Sequence, residues 1–163
     1  MSEVDLFFNK GVFKVKTGGV RIKNIGTGTF LDLYHSLSAE NNPVIGFQNN
    51  GTDAQLVIVQ SVVCRLQWTV EVVDQSKGHI KLLNAAGGTY ARAPDHIIGG
   101  RVVGSLISET FRVSESGGKV QITVIDEGYA FNLDSTANET PKQVTLTNPD
   151  RAKNSQLWSF QKV

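Results

Sequence analysis

Cysteine is almost absent. The single Cys64 excludes an intramolecular disulfide framework and any cysteine-rich metal site. An excess of one charge is missing too. Sixteen basic residues face 15 acidic ones, a formal net charge of +1, which gives no general pull toward nucleic acid or anionic lipid. No long apolar run occurs. The longest, Leu56 to Cys64, is interrupted by Gln60 and Ser61, whereas a membrane-spanning helix needs about 20 residues, so no transmembrane segment is expected. At the N-terminus Glu3 and Asp5 precede a short apolar patch, the opposite of a secretory signal. The expectation is a soluble cytoplasmic protein. His35, His79 and His96 lie far apart with no metal-ligand spacing. Neither a GxSxG elbow nor a GxxxxGK[ST] loop is present. No cofactor, metal or catalytic centre is expected.

Helical period is also scarce, and what replaces it is alternation. Val20-Arg21-Ile22-Lys23, Phe111-Arg112-Val113-Ser114, Val120-Gln121-Ile122-Thr123 and Val144-Thr145-Leu146-Thr147 each carry a period of two, the mark of half-buried strands. Sixteen glycines, with many Asn and Asp residues, punctuate these runs as turns. A chain of 163 residues is enough for one domain with a proper core.

The alternating runs repeat. VRIKNIGTGTFLDL from Val20, IKLLNAAGGTYARA from Ile80 and VQITVIDEGYAFNL from Val120 align so that Gly28, Gly88 and Gly128 coincide. Thr29, Thr89 and Tyr129 follow in register, then Phe30, Tyr90 and Ala130, and Asn24 matches Asn84. Each unit reads as strand, glycine turn and strand, and each closes on an aromatic: Trp68, Phe111 and Trp158. The first unit is longer than the others. Removing Leu56 to Leu66 joins Gln55 to Gln67-Trp68 and restores a Gln-x-Trp ending like Gln156-Leu157-Trp158. The apolar stretch at 56–66 is therefore expected to be an insert between two strands. The predicted architecture is all-β: one domain over 1–163 with repeats at about 11–75, 76–117 and 118–163, closing as a pseudo-threefold β-trefoil.

The segment GTGTFLDLYHSLSAENNPVIGFQNNGTDAQ…QW, the GGTYARA turn and the ending NSQLWSFQKV resemble the ricin B-chain-like β-trefoil lectins, the short fungal ones in particular. The resemblance runs from Gly11 onward. It implies a carbohydrate-binding protein for galactose- or GalNAc-type glycans on glycoproteins or glycolipids, without catalysis. A sugar pocket of this kind needs a carboxylate for two adjacent hydroxyls, a ring to stack on the pyranose and an amide donor. Carried over from the family, the carboxylate position in the first repeat matches Asp32, and the ring position matches Phe47 after Gly46. The amide position falls on Ala54, a departure from the pattern, with Asn49 or Asn50 as a replacement donor. In the second repeat the carboxylate is replaced by Arg92 and no ring follows, which implies a structural repeat or one that binds something other than a neutral hexose. In the third repeat Asn132 and Thr147 stand at these positions, and Asn154 lies two residues before Gln156, so a weaker second site would rest on Asn132 and Asn154. Shallow single-sugar sites need multivalency, through a homodimer or clustered glycans. The alternatives are a β-trefoil protease inhibitor presenting Arg65, Arg92 or Arg101 on a loop, and a protein-interaction module built on the apolar insert.

Overall fold

The computed structural model of the protein describes residues 8–9, 12–13, 19–47, 67–134 and 142–162. The predicted insert at 56–66, Cys64, Arg65, and the candidates Asn49, Asn50, Ala54 and Gln55 lie outside these residues. Two short strands, β1 (Phe8–Asn9) and β2 (Val12–Phe13), pair with each other as a separate ribbon. All other described strands belong to one sheet, and the described helix is limited to 3-10 turns at Tyr34–Ser36 and Asn154–Gln156.

That sheet closes on itself. Strands β3 (Gly19–Asn24), β6 (Gln67–Asp74), β7 (His79–Asn84), β10 (Phe111–Ser116), β11 (Lys119–Val124) and β15 (Trp158–Lys162) pair antiparallel in that order, and β15 returns to β3. Full closure leaves this barrel without free edges. Three hairpins cap one end: β4 (Phe30–Leu33) with β5 (Asn42–Phe47), β8 (Tyr90–Arg92) with β9 (Val103–Ser105), and β12 (Ala130–Asn132) with β14 (Thr145–Thr147). They are joined by β5–β9 pairing, by an Arg101–Thr145 bridge, and by β13 (Lys142–Gln143) against β5. A six-stranded barrel with a triangular cap of hairpins is a β-trefoil.

The three glycine turns are built alike. Gly28, Gly88 and Gly128 have φ of 71°, 67° and 72°, a left-handed conformation that costs a side chain about 1–2 kcal/mol. In the first two turns an asparagine side chain completes the geometry. Asn24 Oδ1 accepts from the N–H groups of Gly26 (3.1 Å) and Thr27 (3.0 Å), and Asn84 Oδ1 from those of Ala86 (3.1 Å) and Gly87 (2.9 Å). Val124 takes that place in the third, where the backbone bond from Val124 N to Tyr129 O (2.9 Å) remains.

The three closing aromatics are fully buried in one core. Trp68 Nε1 donates to Leu31 O at 3.0 Å and Trp158 Nε1 to Phe131 O at 3.3 Å. Phe111 has no N–H and instead meets Phe131 edge to face, with centroids 4.8 Å apart. Gln156, two residues before Trp158, is also buried. Its amide donates to Asn148 O (3.0 Å) and its carbonyl accepts from Asp150 N (2.8 Å), fastening the turn before β15. It also explains a break in alternation: Gln121 is buried beside its apolar neighbours because its amide donates to Gln156 Oε1 at 3.2 Å.

On the pseudo-threefold axis the backbone forms a ring. Val44 N donates to Val102 O (3.0 Å), Val102 N to Val144 O (3.0 Å), and Val144 N to Val44 O (2.9 Å). A single side chain, Gln143, reaches all three carbonyls, with Nε2 at 2.7 Å from Val44 O, 2.7 Å from Val102 O and 3.3 Å from Val144 O. Packing between repeats is matched residue to residue. A Cβ at Gly46 would collide with the Leu133 side chain and lie 2.7 Å from Thr29 Oγ1; a Cβ at Gly104 would lie 2.7 Å from Leu33 Cδ1. By register, Leu146 occupies the third glycine position and Ala93 the third leucine position.

Candidate functional site

The strand register fixes which side chains share a face. Asp32 pairs with Ile45, and Phe30 with Phe47, across β4 and β5. With period two, Phe30, Asp32, Ile45 and Phe47 project from one face of the hairpin, while Leu31, Leu33, Val44 and Gly46 face the other. The predicted carboxylate and ring are thus diagonal neighbours on one surface of the first repeat. Lys23 Nζ stands 5.9 Å from the Phe30 ring centroid on the adjoining strand. Asp32 is fully buried and has a partner within the chain; Phe47 is partly exposed and also engaged. Gly46 is required by the Leu133 contact, so its place at the site is as backbone. Immediately after β4, His35 is exposed in a left-handed conformation (φ 52°) with its ring 3.9 Å from that of Tyr34.

By the same register Arg92 and Ser105 replace Asp32 and Phe47 in the second repeat, and Asn132 and Thr147 replace them in the third. Asn132 is partly exposed. The backbone after it is tied to the 3-10 turn by Leu133 N donating to Ser155 O at 3.0 Å, so Asn132 and Asn154 lie on neighbouring segments. The Asn154 carbonyl accepts from Gly26 N at 3.1 Å, while its residue as a whole is exposed.

Two polar clusters escaped the sequence. In one, Glu40, just ahead of β5, crosses to the second repeat: its carboxylate accepts from Ser105 Oγ and, at 3.0 Å, from Leu106 N. In the other, His96 lies between two carboxylates, with Nδ1 2.7 Å from Glu127 Oε2 and Nε2 3.3 Å from both Glu109 oxygens. Glu109 occupies the place in its repeat that Gln156 holds in the third, and its Oε1 also accepts from Ala93 N at 3.3 Å. Burial drives the Glu109 carboxyl above the usual carboxylate range, more than His96 and the Ala93 N–H pull it down. Burial pulls His96 down, but the hydrogen bonds and charges of Glu109 and Glu127 together leave it above its usual value. The one sequence signal was the alignment of Glu109-Thr110-Phe111 with Gln156-Leu157-Trp158. Nothing in the sequence places His96 or Glu127 beside it.

Among the described residues no group of three His, Cys, Asp or Glu side chains is arranged to hold a metal ion, and no helix is long and apolar enough to cross a membrane. No protein-family model matches the chain, and no curated protein sequence matches it. Solved structures do. The designed threefold-symmetric protein ThreeFoil superposes with a TM-score of 0.75 at 16% identity, over 90% of this chain and 99% of that one. The Rhizoctonia solani agglutinin gives 0.74 at 22% identity, over 91% and 97%. The Macrolepiota procera ricin B-like lectin, solved with lactose, gives 0.71 at 21% identity, over 91% and 99%. The barrel, the hairpin cap and these superpositions show that the chain has the β-trefoil fold, which it shares with these proteins.

Proposed function

We propose that this protein is a non-enzymatic carbohydrate-binding lectin for galactose- or GalNAc-type glycans, acting chiefly through its first repeat. The observation that carries the reading is the joint placement of Asp32 and Phe47 on one face of the β4–β5 hairpin. They are a carboxylate and a ring at diagonal positions on that face, and neither of the other repeats keeps both. The likeness to the lactose-bound Macrolepiota lectin supports it. The inhibitor alternative draws no support from the described residues. Arg92 lies within β8, and the Arg101 backbone is tied into the cap by its bridge to Thr145.

The competing role for Asp32 is structural, as a fully buried carboxylate with a partner inside the chain. One experiment separates the two. Asp32→Ala, Phe47→Ala and Asn132→Ala are titrated against an immobilised galactoside, with a melting curve for each. Charge-assisted bonds are worth about 1.5–3 kcal/mol each, and a millimolar monosaccharide affinity is only about −4 kcal/mol. Asp32→Ala therefore removes binding while the protein stays folded, Phe47→Ala weakens it, and Asn132→Ala has little effect. Loss of fold in Asp32→Ala assigns the residue to the scaffold. Binding lost in Asn132→Ala but kept in Asp32→Ala moves the site to the third repeat.

A further inference from the structure

Arg92 and Ser105 cannot serve a neutral sugar as a carboxylate and a ring do, but a guanidinium and a hydroxyl suit an anion. The folded chain already holds an anion there. The Glu40 carboxylate, from the first repeat, accepts from Ser105 Oγ and from Leu106 N (3.0 Å). The receiving side is built for this. Ser105 is fully buried, and its oxygen accepts from Ile107 N at 3.0 Å, so the hydroxyl proton is left for the carboxylate. Arg92 makes no hydrogen bond or ion pair with any described residue, yet its charge is felt at both Glu40 and Glu109. The Ser105 bond first, then the Leu106 N–H, hold the Glu40 carboxyl below its usual range against the opposing effect of burial, and Arg92 adds to them. Glu40 itself is exposed, whereas Ser105, which receives it, is not. Leu106 (74% exposed) and Ile107 (59%) flank the slot with apolar surface.

We infer that the second repeat is a subsite for the anionic group of an acidic sugar, a carboxylate or a sulfate, and that Glu40 is the intramolecular stand-in that keeps it closed. A ligand anion replacing Glu40 takes the same hydroxyl and N–H. It also takes the guanidinium fork, which Glu40 does not engage as an ion pair. That difference lets a free ligand compete with a tethered side chain. The inference rests on the carbohydrate-binding reading for the sugar and on the second repeat alone for the anion.

The test uses D-glucuronate, galactose 6-sulfate and neutral galactose as probes, followed through the backbone amide signal of Leu106 in the full chain. Glu40→Ala binds at least one of the acidic probes about tenfold or more tighter than the parent, as expected when a charge-assisted hydrogen bond forms with no internal carboxylate to displace. The Leu106 signal moves with that titration and stays still with galactose. Adding Arg92→Gln to Glu40→Ala removes the gain. Which probe gains separates carboxylate from sulfate. A gain of affinity cannot arise from unfolding, and Glu40→Gln, which keeps a neutral side chain of the same shape, repeats the comparison where the alanine variant does not fold. No gain with either acid, or a gain that survives Arg92→Gln, overturns the inference. Galactose binding by the parent is read separately: its absence beside a glucuronate or sulfate gain ends the first-repeat reading and leaves the anion subsite standing.

Discussion

Replacing Gln143 by leucine tests how much one side chain on the axis contributes to joining three repeats. The amide has two protons and three carbonyls in reach, two at 2.7 Å and one at 3.3 Å. It therefore forms two good bonds and shares a weaker third. Each carbonyl also accepts a backbone N–H from a neighbouring repeat. Leucine thus leaves no carbonyl without a partner, only a second lone pair unmet, which is tolerated better than an orphaned donor. Two neutral bonds at a net value of about 1 kcal/mol each give an expected loss of about 2 kcal/mol. For a chain of this size that corresponds to about 4–8 °C in Tm. Gln143→Glu is the sharper perturbation. At neutral pH an ionised carboxylate offers no proton and turns its charge toward three carbonyl oxygens. It is expected to destabilise more than leucine does and to recover part of the loss on acidification, when the protonated acid donates once. Urea unfolding of both variants, with the m-value monitored, measures this. A leucine variant as stable as the parent, or a glutamate variant no worse than leucine at pH 7, refutes the account of the axis.

Three further outcomes are expected. His96 and Glu109 both titrate above their ordinary values of 6.5 and 4.5 in the folded chain, so the folded state binds more protons than the unfolded state. The stabilisation from His96 is complete below about pH 6.5 and is lost as pH rises through its folded value, and Glu109 acts in the same direction from lower pH. Tm is expected to fall between pH 5.5 and 8, with a flatter profile in His96→Gln; parallel profiles contradict the cluster. Gly46→Ala is expected to cost about 1–3 kcal/mol by overpacking against Leu133, and part of that cost returns in the Gly46→Ala/Leu133→Ala pair, measured as a double-mutant cycle. Excision of 56–66 is expected to leave a folded, sugar-competent protein, since each doubling of loop length costs only about 0.6 kcal/mol; cooperative loss of fold on the melting curve assigns those residues to the core.

The features legible in the sequence are those that recur. The Gly28, Gly88 and Gly128 turns share one left-handed requirement, so a single residue type marks all three. Trp68, Phe111 and Trp158 fill equivalent seats, and period-two strands join them. The pairing of Asp32 with Phe47 on one face follows from the same register. The Glu40 contact with Ser105 and the His96 contact with Glu127 do not recur. Each joins two different repeats through at least one loop residue that carries no period, and their partners are 65 and 31 residues apart in the chain. Only closure of the barrel makes them neighbours. Gln143 was hidden for a related reason. Pro43 and Arg101 stand at its equivalent places, so no pattern singles out an amide on an axis that one side chain suffices to fill.

The seats between repeats have a consequence for rebuilding such a chain from one module. The first repeat carries both halves of a fitting contact, Leu33 to project and Gly46 to receive. Three copies of it would satisfy every seat with leucine against glycine. Three copies of the second would set Ala93 against Gly104 and leave holes, and three copies of the third would drive Leu133 into Leu146. Threefold repetition is thus sterically matched in one module of this protein, underpacked in the second and overpacked in the third. The second and third modules are instead complementary: the third has the leucine without the glycine, and the second has the glycine without the leucine.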